Sequence, residues 1–331
     1  MLSNLATNVI VPSYEDLETA SQAYATAVSD FSQTPTEANL ETLRTSLREF
    51  WHTWVSGASI YEFGPAQSLV LRTAMNTWPV DENQVENNIA AGTWNLETAS
   101  NVDARGLPTM DYLLNNDDAA TTVASFTTGQ DAANRMNYLE NLQADLAGLI
   151  TQVKSDWEGS YKATFEASQG TDVGSSTGFL VNQMSFDLEI TKNGRLGIPI
   201  GKKSLGQILP EHVESYYGGY SASLAKAHIM SLQTLFTGDG NGEGYGFEEA
   251  LDALEAQHSS GSTLSEAINA QFATILTKMD ALTDPLSDQI STQLTPVDDA
   301  YNAVQQMVVL YKTDLASAMS IAITYQDSDG D

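Results

Sequence analysis

An all-α protein is predicted by three features of the sequence. Apolar residues recur at three- and four-residue steps in long stripes, scarcely any run alternates in the β manner, and glycine or proline punctuates the intervals. The first stripe runs through Tyr14, Leu17, Tyr24, Val28 and Phe31, with Ser13 and Asp16 as start signals. Thr34 and Pro35 read as a cap and a first helical position for the second stripe, Leu40, Leu43, Leu47, Phe50, Trp51 and Trp54. Gly64 and Pro65 are expected to end or kink that helix. A third stripe, from Leu139 through Leu142, Leu146, Leu149, Val153 and Trp157 to Tyr161, keeps a period near 3.6 residues.

The region 168–219 is rich in glycine and reads as ordered loop and short helix, with a helix over 179–190. Helical patterning returns at 221–236, at 247–256, and through Leu264, Ile268, Phe272, Ile275, Met279 and Leu282. Thr295 and Pro296 open a last stripe, from Val297 and Tyr301 through Val304, Val308, Tyr311 and Leu315 to Met319. At 331 residues with 42% hydrophobic side chains, two bundles of antiparallel helices fit the length. The composition shift puts their boundary in the stretch 167–178, giving domains 1–167 and 168–331.

Against 43 acidic residues stand 14 basic ones, a net charge of −29. Nucleic acid and anionic membrane surfaces should repel such a chain. The absence of cysteine excludes disulfides, thiolate metal sites and a cysteine nucleophile. No apolar run approaches the roughly 18 residues a membrane-spanning helix needs, so a soluble chain is expected. Neither end resembles a signal peptide, although a removed export signal or lipidated cysteine would leave no trace.

The stretch from Arg105 and Gly106 to Leu114 resembles the Gly-x-His-x-x-Glu signature of the imelysin family, with Pro108 in the histidine slot and Asp111 in the glutamate slot. Further blocks resemble family segments in the right order. They are 51–65, ending Tyr61, Glu62, Phe63, Gly64 and Pro65; the helix from Arg135; 197–201 leading to 210–217; and the last helix, ending at 323–331. Imelysins are envelope proteins first described as peptidases and often tied to iron uptake. The resemblance implies two four-helix-bundle-like domains facing each other across a cleft, with the signature near that cleft. It also implies that Glu62, Arg105, Asp111, Glu214, Tyr217 and Ser221 belong to a ligand-binding cleft.

A family-type zinc site would need His and Glu three apart on one helical face, and proline has no ligand atom. Without the resemblance, Gly106 to Leu114 reads as a loop entering a helix, with Pro108 in the first turn and Met110, Leu113 and Leu114 in the core. Trp51, Trp54, Tyr61 and Phe63 read as core or cleft wall. Among the histidines, His52, His212, His228 and His258, none is paired at ligand spacing, and His212 is the best candidate because Glu214 and Lys202–Lys203 are close in sequence.

Asp239, Asn241 and Glu243 followed by Gly244 imitate the start of an EF-hand loop, but its twelfth position is Ala250, so a turn is expected rather than calcium. Asp327, Asp329 and Asp331 repeat the alternation where the chain ends. Gly197 to Ser204 has the wrong spacing for a phosphate loop. The expectation is an imelysin-like, non-enzymatic envelope lipoprotein, periplasmic or surface-exposed, that binds a small ligand, with iron or haem as candidates and zinc and calcium not expected. Outer-membrane uptake components are expected partners, and the membrane is met only through a lipid anchor. The alternatives are a metal-dependent peptidase of the imelysin type and a structural surface lipoprotein.

Overall fold

A computed structural model describes residues 1–242 and 244–324. Glu243 and the terminal 325–331, with Asp327, Asp329 and Asp331, lie outside the described residues. Among those described there is no strand; the fold is all-α, with one isolated bridge between Gln257 and Thr263.

The N-terminal half is built on α1 (Val11–Gln33), α2 (Glu37–Val55), α3 (Glu82–Ala91), α4 (Gly106–Asn115), α5 (Ala119–Thr127) and α6 (Ala132–Asp156). Helix α1 packs along both α2 and α6, and α4 and α5 each touch α2 and α6. The predicted stripes are the buried faces: Tyr14, Leu17, Tyr24 and Phe31 of α1, Leu40, Leu43 and Leu47 of α2, and Leu139, Leu142 and Leu146 of α6 are fully buried. Trp51 and Trp54 are buried too, so they, Tyr61 and Phe63 are core, with Trp54 also reaching a cavity wall.

The C-terminal half contains α7 (Ser176–Glu189), α8 (Ser221–Thr237), α9 (Phe247–Ala253), α10 (Leu264–Met279), α11 (Leu286–Thr292) and α12 (Thr295–Val309). Here α10 packs on α8 and α12, and α7 packs on α12. The two halves meet where α2 lies against α8, and the buried apolar side chains form one cluster that includes both.

Several sequence expectations about element ends are corrected. The first helical run starts at Leu2, well before Ser13, because Leu5, Ala6, Val9 and Ile10 are buried and carry the helix backward through a π turn at Ala6–Ile10. Helix α2 is capped by Thr36, whose hydroxyl accepts from Asn39 N at 3.3 Å, so Thr34 and Pro35 stand outside it. It ends at Val55 and not at Gly64–Pro65, with Gly57 packed so closely on Ser13 that a Cβ there would lie 2.7 Å from Ser13 Cβ. The region 168–219 is more helical than its glycines suggest: α7 spans fourteen residues and runs directly into a π-helical segment, Ile190–Gly197. The stripe from Leu139 continues through a π turn at Trp157–Tyr161, and that from Val297 through another at Leu310–Leu315.

The Asp239 turn is closed internally, Asp239 Oδ1 accepting from Gly244 N at 2.9 Å. Its Gly240 lies against Asn8 O, where a Cβ would sit 1.9 Å away.

Candidate functional site

The site begins with Glu214, 1% exposed on the loop before α8. A buried carboxylate has to be paired, and this one is enclosed by donors from both halves. Arg195 Nε donates to Oε2 at 2.6 Å and Arg195 Nη2 to Oε1 at 3.3 Å. Asn76 Nδ2 donates to Oε1 at 2.5 Å and Trp51 Nε1 at 3.3 Å. The Ser221 hydroxyl donates to the Glu214 carbonyl, fixing the loop at the entry to α8.

Next to it lies a second buried pair. Arg72 Nη2 donates to Asp187 Oδ2 at 2.8 Å, while Arg72 Nε and Nη2 both reach the Ser59 carbonyl. His228, 1% exposed on α8, has Nε2 3.3 Å from Asp187 Oδ1 and Nδ1 3.3 Å from Ser59 Oγ. Burial, and then the Arg195 charge, hold its pKa below the ordinary value, so the ring is neutral despite Asp187. Each guanidinium also covers an aromatic ring, Arg72 over Phe186 at 5.1 Å and Arg195 over Trp78 at 5.5 Å.

Above these pairs opens a cavity of about 550 Å³. Trp54, Arg72, Asn76 and Trp78 line it from the N-terminal half; Phe186, Asp187, Arg195, His212 and His228 line it from the C-terminal half. The π-helical segment supplies Asn193, Gly194 and Arg195, its widened turn setting them on the cavity wall. Around the floor, Asn76 Oδ1 and Asn193 Oδ1 are buried without a hydrogen-bond partner among the described residues, and His228 Nε2 has only its misaligned 3.3 Å contact with Asp187. Such atoms are costly in a folded interior and cluster where function has constrained the packing.

The six residues assigned to a cleft from the sequence do not converge on this cavity. Glu214 forms its underlying support, and Ser221 holds the Glu214 loop. Glu62 accepts from Arg72 N at 3.1 Å, one step behind the wall, and burial raises its pKa. Asp111 and Tyr217 line a separate small recess with Pro108, Ser215 and Tyr216. Arg105 is spent on Asp145 of α6, with two bonds of 2.7 Å.

The signature segment itself is a helix entry, as read from its glycine and proline. Gly106 has φ +84°, and a Cβ there would lie 2.5 Å from the carbonyl oxygens of Ala74 and Met75. Asp111, 1% exposed, accepts from Asn115 Nδ2 at 3.0 Å and Gly218 N at 3.1 Å, so it ties α4 to the loop before α8. Burial outweighs those bonds and pushes its carboxyl up to about 7. The Tyr217 hydroxyl donates to Glu82 Oε1 at 2.5 Å.

Of the histidines, His212 and His228 reach the cavity, His52 lines a groove beside α1, and His258 bonds within its own loop to Ser260. Among the described residues no three His, Asp or Glu side chains are grouped as a metal would require. Sequence reasoning missed Arg72, Asn76, Asp187 and Arg195. Two arginines in apolar surroundings, in a chain with 14 basic residues, were the available signal.

An all-α fold with buried ion pairs beneath a cavity that opens to solvent frames the class of protein. The imelysin family model (Peptidase_M75) matches residues 10–310, and the chain belongs to that family. It is 22% identical over 291 residues to iron-regulated protein A of Synechococcus elongatus (strain ATCC 33912 / PCC 7942 / FACHB-805), covering 86% of this chain and 76% of that one. Its fold is similar to that of a Parabacteroides distasonis ATCC 8503 protein named as an iron-regulated protein A precursor, with TM-score 0.78, 16% identity, and 96% and 94% of the two chains covered. An imelysin-like protein from Psychrobacter arcticum 273-4 is similar as well, with TM-score 0.74, 16% identity and 98% and 96% coverage. No helix among the described residues is long and apolar enough to cross a membrane.

Proposed function

We propose that this chain is a non-enzymatic binding protein of the bacterial cell envelope that serves iron supply and holds its ligand in the cavity over the Arg72–Asp187 and Arg195–Glu214 pairs. In this reading the chain forms two bundles, divided at 167 and 168, that face each other across the cleft. A lipid anchor attaches it to the membrane, and outer-membrane uptake components are its partners. The single observation that carries the proposal is the cavity of about 550 Å³ lined from both halves, a size suited to a small organic ligand.

Two features support binding over hydrolysis. Pro108 gives the signature helix no ligand atom at its histidine slot. The nearby carboxylates Asp187, Glu189 and Glu214 are each held by a basic side chain, leaving none poised to hold a metal and polarise water. The names of the Synechococcus and Parabacteroides relatives, iron-regulated protein A, support the link to iron.

Titration with ferrous iron, ferric iron and haem, read by tryptophan fluorescence and calorimetry, tests this reading. One of them should saturate near one site per chain, and filling the cavity with Ile198→Trp should weaken it. Stoichiometric zinc together with zinc-dependent peptide cleavage would instead establish the peptidase.

A further inference from the structure

The cavity's chemistry narrows what it accepts, and this inference rests on the cavity being the binding site. Its walls carry Trp54, Trp78, Pro79, Phe186, Ile190 and Ile198, a mostly aromatic and branched-apolar surface. Its acids are already neutralised. Asp187 is held by Arg72 at 2.8 Å; Glu189 by Lys192 at 2.6 Å and Lys312 at 3.1 Å; and Glu214, beneath the floor, by Arg195 at 2.6 Å. A bare cation would therefore have to displace a buried ammonium or guanidinium group before it met a carboxylate, leaving that base unpaired in a low-dielectric interior.

Its two arginines are held by the acids beneath it. Arg195 uses Nε and Nη2 on Glu214 and Nη1 on Thr191 Oγ1. Arg72 uses Nε and Nη2 on Ser59 O, Gln183 Oε1 and Asp187 Oδ2, and among the described residues Nη1 makes no hydrogen bond. The Arg72 side chain is 16% exposed and forms part of the cavity wall. The Arg72 charge is offset by Asp187 and by Glu62, whose carboxylate accepts from the Arg72 backbone. The donor thus suits a neutral acceptor better than a full anion.

We infer that the cavity takes a flat, predominantly apolar organic molecule bearing a hydrogen-bond acceptor for Arg72 Nη1, in preference to a bare metal ion. Aromatic and aliphatic walls supply the burial, and the Arg72 Nη1 donor supplies the orientation.

The test compares three probes on the full chain: methyl naphthyl ketone, ethylnaphthalene and ferrous ion. Tryptophan quenching and calorimetry are read for wild type and for Ile198→Trp and Thr73→Trp, which fill the cavity from its C-terminal and N-terminal halves without replacing a member of an ion pair. The ketone should saturate at one site and bind about fivefold tighter than ethylnaphthalene, as one net hydrogen bond allows. Both filled variants, checked for native circular dichroism, should bind the ketone at least about tenfold more weakly. Equal binding of ketone and hydrocarbon would overturn the role of Arg72 Nη1. Saturation by ferrous ion alone, abolished by the filled variants, would overturn the ligand class and leave the cavity as the site. Ketone binding untouched by either filled variant would overturn the cavity assignment, and no binding by any probe would overturn the proposed ligand class.

Discussion

Asp111 shows how much a single side chain depends on its surroundings. Its carboxyl is pushed up to about 7 by burial, against roughly 4 in an unfolded chain. The folded state therefore binds this proton more tightly than the unfolded one. The resulting stabilisation is full below pH of about 4 and is lost as pH rises through about 7, a span worth about 4 kcal/mol. Urea unfolding at pH 5 and pH 8 should show Asp111→Asn flattening this pH dependence relative to wild type; an unchanged slope would remove Asp111 as its source. Glu214 presents the complementary case. Glu214→Ala strands Arg195 in the interior and should cost about 3–5 kcal/mol by denaturant unfolding. At Gly106, alanine would need positive φ and would crowd two carbonyls, so Gly106→Ala should cost about 2 kcal/mol or more by the same measurement.

At the scale of elements, helix α10 carries a complete capping box. The Thr263 hydroxyl accepts from Glu266 N at 3.2 Å, and Glu266 Oε2 accepts from Thr263 N at 3.1 Å. Thr263→Ala should lower stability by about 1 kcal/mol in thermal or urea unfolding, with ligand affinity unchanged because the cap lies away from the cavity. The π-helical segment after α7 is the element that matters to the cavity. A Cβ on Gly197 would lie 2.8 Å from Lys192 O and 3.0 Å from the Tyr301 ring, so this turn is held open by tight packing. Helix interiors such as α1, α2 and α6 were legible because 3.6-residue periodicity reports directly on burial. Their ends were not, since the start at Leu2 and the stop at Val55 depend on packing partners distant in sequence.

At the scale of the molecule, one buried apolar cluster includes side chains from both halves. Differential scanning calorimetry should therefore give a single cooperative transition. Two separated transitions would show that the halves unfold independently. A net charge of −29 on 331 residues makes the folded chain self-repelling. Its midpoint temperature should rise as sodium chloride is raised from low ionic strength to about 0.15 M, where the Debye length falls to about 8 Å.

The sequence by itself determined the all-α class, the positions of the long helices, the imelysin resemblance and the conformational need for Gly106. All of these are local or periodic properties. Through that resemblance it also singled out Asp111 and Glu214 as acids of an expected cleft. Tertiary structure alone decided what those acids do, because their partners come from far along the chain: Gly218 for Asp111, and Trp51, Asn76 and Arg195 for Glu214. The same holds for the cavity, whose walls join residues 54–79 to residues 186–228. A lone arginine such as Arg72 or Arg195 carries no spacing signal. Only folding brings it against Asp187 or Glu214, where the cost of burying charge forces the pairing that shapes the site.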